Sequence, residues 1–345
     1  MKLSLIFTVA AFVLSTSAHA TEKTREIRWY LAHSPSSTEL KNIIEEYSER
    51  LYKKSSQKLK VVVINKASPL NHPGSDNPVG KVGEGQAEMS QVTISSLKKY
   101  YEPIMAFDMP FMFRNHEHAY KVLDGDIGNK ILDGIYHGEL NQKTDKKIRG
   151  LFFTYSGGYR IIYGSKEIKS VDDFKGLRMY RPGNIPGDKF AQRLGVKYVP
   201  GNAGFGSLTY AYSFNANQID IEEGELNRYE VFYRTYPELK TKANYVIDTY
   251  HSLYLTLIVV NEDFLNSLDS ATKKIFLEET HKLAMDEREL SLRLEVENRA
   301  KLIKQGVKFV KLPEAEEKRL HEIGLKVRED LPKLKDWVQK IEAVK

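Results

Sequence analysis

Few side chains in this sequence stand where types and spacing could do chemistry. Glu222-Glu223-Gly224-Glu225 crowds three carboxyls into four residues, which suits either an acid/base pair or a charged strand end. His116-Glu117-His118 offers two imidazoles two residues apart. Neighbours on a helix face are three or four apart, so this string reads as a solvated helix start before it reads as a metal site. Gly80-Lys81-Val82-Gly83-Glu84-Gly85 is rich in glycine but lacks the Lys-Ser/Thr end of a phosphate loop and the spacing of a dinucleotide fingerprint. No GxSxG elbow and no HExxH helix occurs. The chain has no cysteine, which excludes a disulfide scaffold, a thiol nucleophile and a cysteine-ligated zinc site. Its 52 Lys+Arg against 46 Asp+Glu give a net charge of +6 over 345 residues. Short basic runs such as Lys53-Lys54 and Lys98-Lys99 fit helix ends, and the excess is too dispersed for a nucleic-acid partner. No enzyme, cofactor or metal ion is expected on these grounds, which leaves binding.

The elements that would position a binding site alternate along the chain. Met1-Lys2, an apolar run over residues 3–14 and the small-residue ending Ala18-His19-Ala20 form the pattern of a secretory leader cut after Ala20. The run is too short to span a bilayer, and no later segment is apolar enough to do so. Removing the leader takes away one lysine and no acid and leaves +5. Strands are expected over 27–31, 59–64 and 88–94, with a helix over 39–54 whose Leu40, Ile43, Ile44, Tyr47 and Leu51 recur at helical spacing. This βαβ beginning predicts an α/β fold with a parallel sheet. Further strands are expected over 148–154, 159–163, 177–180, 196–199, 219–221, 254–260 and 307–310. Helices are expected over 185–194 and 209–216, with one long helix over 271–305 and a helical tail. Two α/β lobes with no linker imply a chain that crosses between them more than once.

A family resemblance emerges from the ordered motifs. Asp108-Met109-Pro110-Phe111-Met112-Phe113-Arg114, followed by His118-Ala119-Tyr120-Lys121-Val122-Leu123-Asp124-Gly125 and Ile127-Gly128, resembles the "LPFLFR…hAyKvldGpiG" block of the DctP-like substrate-binding proteins of tripartite ATP-independent periplasmic (TRAP) transporters. Gly157-Gly158-Tyr159-Arg160, Val171-Asp172-Asp173-Phe174-Lys175-Gly176-Leu177-Arg178, Asn217-Gln218-Ile219-Asp220 and His251-Ser252 through Asn261 resemble later motifs of that family in order. The resemblance spans 25–337 and implies two lobes around a ligand cleft, crossing strands and a long spanning helix. It divides the chain into a leader (1–20), a mainly N-terminal lobe (21–150), a mainly C-terminal lobe (151–250) and a cross-lobe region with helical tail (251–345). It further implies capture of a small polar solute, an organic acid by preference, in the periplasm. The solute closes the lobes and passes to membrane permease subunits. A ligand sensor that presents its closed form to a signalling receptor is the alternative.

The family's ligand arginine in "GLKxR" falls on Tyr180 of Gly176-Leu177-Arg178-Met179-Tyr180-Arg181-Pro182. Strand alternation puts Arg178 on Tyr180's face and Arg181 on the other, unless the chain bulges. Three readings stand open. Arg181 takes the role through a bulge; Arg160, the other family arginine, holds a carboxylate alone; or the ligand lacks an ordinary carboxylate and Tyr180 stacks on it or donates its hydroxyl. Glu223 is a candidate acceptor, and Gly224 after it is read as leaving room for a larger pocket. The glycine-rich 200–207 segment, with Phe205, is a candidate loop at the ligand. His33 with Ser34, and Thr93 with Ser95, follow the first and third expected strands, where open α/β sheets place ligands. His251 is a candidate on the cross-lobe segment.

Overall fold

The computed structural model describes residues 23–30, 38–64, 78–143, 147–181, 183–202, 207–237 and 239–345. The leader, His33, Ser34 and Phe205 lie outside the described residues.

Strands β1 (Arg25–Tyr30), β2 (Leu59–Ile64) and β3 (Met89–Thr93) form the parallel sheet that the βαβ beginning predicts, in the order β2-β1-β3. Helix Thr38–Lys54 connects the first two and buries Ile44, Tyr47 and Leu51, while Trp29 packs edge-on to Tyr47 at 6.1 Å. Beyond β3 the sheet turns antiparallel, which the sequence does not announce. The long strands β4 (Ile148–Gly164) and β9 (Leu253–Asn261) run in opposite directions, and β9 pairs with β3. The first half of β4 pairs with β9. Its second half pairs with β7 (Ile221–Glu225) on one side and β8 (Tyr245–Ile247) on the other. Strand β10 (Lys308–Val310) extends β8 in parallel. Strands β5 (Arg178–Arg181) and β6 (Lys197–Asn202) form a separate parallel pair.

Residues 148–154 and 159–163 thus belong to one strand rather than two. The pairing shifts between Thr154 and Gly158, where Ser156, Gly157 and Gly158 have φ of 50°, 130° and 97°. These left-handed values suit the glycines, which carry no Cβ. The long helix Ser270–Lys304, capped by Asp269, reaches across this bend. Its Glu287 carboxylate accepts from Tyr155 N–H at 2.8 Å and Ser156 N–H at 2.6 Å, and Ser291 Oγ accepts from Gly157 N–H at 3.1 Å. Backbone donors freed by the bulge are therefore paired, as buried polar groups require. No helix among the described residues is long and apolar enough to cross a membrane.

Candidate functional site

Groups from both halves of the sheet converge just beyond the bend in β4. Arg160 is 6% exposed. Its N–H donates to Ser252 O at 2.7 Å, and its Nη1 donates to Ser252 Oγ at 3.0 Å and Asp108 Oδ1 at 3.2 Å. Its Nε lies 3.1 Å from Glu223 Oε1, and the guanidinium sits 4.6 Å over the Tyr254 ring. Glu223 Oε2 meets His251 Nε2 at 3.2 Å, and His251 Nδ1 meets Thr249 Oγ1 at 2.9 Å. The imidazole stacks on Phe190 at 5.2 Å. The sequence candidates Arg160, Glu223 and His251 are thus one network.

Electrostatics separate its members. Burial pushes the Glu223 carboxyl up, but His251 and Arg160 outweigh it and hold the group below its ordinary value. Burial pushes Asp108 up, and Arg160 only partly offsets this. Burial works against the Arg160 charge, yet Asp108 and Glu223 hold its pKa raised. A guanidinium this buried persists because it is paired on two sides.

The chain around the motif's missing arginine does the unexpected. Tyr180 is 5% exposed within the core formed by Ile161, Tyr163 and Phe214, and its hydroxyl lies 2.7 Å from Ser213 Oγ. Arg178 is engaged with Asp220 through Nε at 2.9 Å and Nη2 at 3.0 Å. The β5–β6 register shifts between Met179 and Arg181, but the extra residues lie in β6, between Tyr198 and Asn202, so β5 runs without a bulge and Arg181 stays on the face opposite Tyr180. Arg181 lies 5.0 Å over the Tyr198 ring, and its Nε is 3.6 Å from Asp188 Oδ1. Tyr198 donates to Asp188 O at 2.9 Å. Burial, then the hydrogen bond and the charge of the Asp188 carboxyl, push the Tyr198 phenol up, and the Glu223 charge adds to the shift. Phe190, on the helix Ile185–Arg193 with Asp188, stacks on His251 and so links this cluster to the Arg160 network.

The other expectations are placed as follows. Ser95 Oγ donates to Thr93 Oγ1 at 3.2 Å at the end of β3, with no hydrogen bond to the Arg160 network among the described residues. Glu222, Glu223 and Glu225 lie within β7 instead of beyond its end, because that strand starts two residues later than expected. Alternation sends Glu222 into the interior, where burial pushes its carboxyl well up and Tyr180 N–H lies 3.4 Å from Oε2, so Glu222 and Glu223 do not share a face. At Gly224 an added Cβ would sit 3.2 Å from the Tyr163 ring, so the glycine makes room for that side chain. His116 packs among the rings of Tyr155 and Tyr159, while His118 Nε2 meets Ile341 O at 3.0 Å. Among the described residues no group of three or more His, Asp or Glu is arranged to hold a metal ion. Asp108, Asp188, Phe190, Tyr198 and Tyr254 were not singled out from sequence. Only Asp108, which heads the Met-Pro-Phe-Met-Phe-Arg motif, carried a local signal.

Comparison with known proteins agrees with this architecture. Residues 31–331 match the family model described as bacterial extracellular solute-binding protein, family 7. The sialic acid-binding periplasmic protein of Vibrio cholerae is 21% identical over 221 residues, 60% of this chain and 62% of that protein. A TRAP periplasmic solute-binding protein of Pseudomonas putida F1, solved with bound D-glucuronate, superposes with a TM-score of 0.77 at 21% identity, covering 93% of this chain and 98% of that one. One from Shewanella oneidensis, solved with bound succinate, gives 0.77 at 15% identity, covering 93% and 99%. The shared fold is that of two-lobed binding proteins. The chain belongs to the DctP family, bacterial extracellular solute-binding protein family 7.

Proposed function

We propose that this protein captures a small carboxylate-bearing solute between its lobes and delivers it to the membrane permease subunits of a TRAP transporter, doing no chemistry on it. In this reading the leader is cut after Ala20, the mature protein works in the periplasm, and residues 21–150 and 151–250 supply most of the two lobes. Family membership and the fold shared with TRAP solute-binding proteins support it. The observation that carries it is the convergence on Arg160: Asp108 comes from ahead of β4, Glu223 from β7, and Ser252 and His251 from the segment entering β9. A ligand held there touches both halves of the sheet and favours the closed arrangement by contacts made only when closed.

Mass spectrometry of the compound released when the purified protein is denatured tests this. The expected compound is a small organic acid, recovered unchanged. Added back at about 100 times its Kd, it stabilises the fold by about 2.7 kcal/mol. A released compound without an acidic group, or turnover of the added acid, refutes the proposal.

A further inference from the structure

A phenylalanine stands where the backbone favours glycine, a glycine stands inside a helix, and folding brings the two together. Residues 109–112 form a turn closed by Met112 N–H donating to Met109 O at 3.3 Å, with Pro110 at its second position. Phe111, at its third, has φ of 55°. With proline before it, that position normally takes glycine or asparagine, and a bulky side chain there is disfavoured by about 5- to 30-fold. Gly324 lies within the helix Glu314–Asp330, where glycine is the poorer choice against alanine. An added Cβ at Gly324 would sit 2.5 Å from Phe111 Cδ2 and 3.1 Å from Pro110 Cβ. The glycine is therefore the socket for this corner. The His321 ring, one turn earlier on that helix, lies 4.7 Å from the Phe111 ring, and Phe190 meets it edge-on at 6.1 Å.

Ring and socket are fastened to different halves. On the ring's side, Phe113 packs on Phe107 at 5.9 Å, and Phe107 packs edge-on to Phe153, in the first half of β4, at 5.4 Å. On the socket's side, Glu316 Oε2 accepts from Val171 N–H at 2.7 Å, and Arg193 Nε donates to Asp330 Oδ2 at 2.7 Å. These bonds tie the helix Glu314–Asp330 to the segment that carries Phe190. The Phe111 N–H donates to His251 O at 2.7 Å, which joins the turn to the segment entering β9. A strained residue persists only where its surroundings hold it. Here contact with the second half favours the seated ring and the backbone of the turn opposes it, so the balance is fine enough for one methyl group to tip.

We infer that Phe111 is a latch between the two halves: seated against Gly324, its ring holds the arrangement described here, and rotation of the halves withdraws it. The chain has no cysteine, so spin labels at Glu45→Cys and Lys240→Cys, one exposed position in each half, report the separation of the halves by pulsed electron resonance. The full mature chain is refolded free of solute, so the latch can fail while the solute-binding reading stands, and the reverse. One distance dominates in the labelled protein. Phe111→Ala removes the ring and Gly324→Ala fills the socket; each raises the share of a second distance by at least about 10-fold. The combined variant goes no further than the larger single effect, because both changes act on one contact. Glu322→Ala, on the exposed face of the same helix, leaves the distance unchanged. Thermal melting shows that each variant is folded, and should Gly324→Ala not fold, Phe111→Ala decides alone. A loss of melting temperature without a new distance means that the ring only fills space, and overturns the latch. So does a combined variant whose shift is the sum of the two.

Discussion

Replacing Glu225 with glutamine should change how stability responds to pH, in a direction opposite to that of an ordinary salt-bridged carboxylate. Glu225 ends β7 and caps the helix Leu226–Thr235, with Arg228 N–H donating to Oε2 at 2.5 Å. It is 3% exposed and lies against the bend in β4, where a Cβ on Gly157 would come 2.5 Å from its Cγ. Burial pushes its pKa up, Arg228 and Arg160 pull it back, Glu295 adds to the rise, and it stands at about 8 against an ordinary 4.5. The folded protein therefore keeps a proton that the unfolded chain releases. This group's contribution to stability is fully present below 4.5 and is lost as pH rises through 8. Each pKa unit is worth about 1.36 kcal/mol, so the loss between pH 5 and pH 9 is about 4 kcal/mol. Glutamine keeps the side chain's size and its capping oxygen but cannot titrate. Urea unfolding at pH 5, 7 and 9 measures the difference between variant and unaltered protein, which should swing by about 4 kcal/mol in favour of glutamine toward high pH. A difference constant across the three pH values would refute the reasoning, because it would mean that the carboxyl titrates alike folded and unfolded.

Arg160→Met should cost about 3–5 kcal/mol by leaving Asp108 and Glu223 buried without their partner; urea unfolding checks it, and a loss under 1 kcal/mol would show the pairs to be dispensable. Tyr180→Phe should cost about 0.5–1.5 kcal/mol through the lost bond to Ser213 and leave ligand affinity unchanged. Tyr180→Arg should lower the melting temperature sharply by burying an unpaired charge. Affinity that rises in Tyr180→Arg without loss of stability would place position 180 in the ligand site. Gly158→Ala should cost at least about 1–2 kcal/mol, since φ is 97° and the new Cβ would meet Glu295 Oε2 at 2.7 Å. Thermal melting reads that cost, and an unchanged midpoint would mean that the bend relaxes freely.

Much of the fold was legible because its signals are local. Alternation marked β1 and a continuous apolar run marked β2, strands were also expected at β3 and β9, helical spacing marked Thr38–Lys54, and the long helix Ser270–Lys304 was expected to within a residue. The helices Asp126–His137 and Leu226–Thr235 and the strand β8 were not singled out, and β4 was read as two strands. A glycine pair usually ends a strand. Here it marks a bulge, because Glu287 and Ser291 on a helix distant in sequence accept the freed N–H groups. The site shows the same division. Arg160, Glu223 and His251 stood out through motif or charge, whereas Asp188 and Tyr198 meet Arg181 only through folding, and their link to the network is Phe190 on the Asp188 helix. Alternation told which face Tyr180 occupies but not that Ser213 and the second lobe's core lie on that face.

The bend and the Arg160 network are mechanically one device. The long helix is fastened near its start to the first half, by Tyr47 to Thr280 at 2.9 Å and by Arg50 and Lys54 to Glu279. Further along, Arg288 holds Asp124 through two bonds, at 2.7 and 2.8 Å. Near its end it is fastened to the second half, by Asn298 to Asn227 at 3.0 Å and by Lys301 to Glu230. An unbroken helix of 35 residues without an internal proline or glycine resists sharp kinking. In the proposed reading, relative rotation of the halves is taken up by the crossing segments, at Ser156–Gly157–Gly158 and at Tyr250, whose φ is 41°. Arg160 lies two residues beyond the first of these bends, and its N–H is bonded to Ser252, two residues beyond the second. In the proposed reading, a solute that contacts the Arg160–Glu223–His251 network acts at the point where both crossing segments turn. In that reading little backbone has to move there to close the lobes, and a small ligand's contacts suffice to select the closed state.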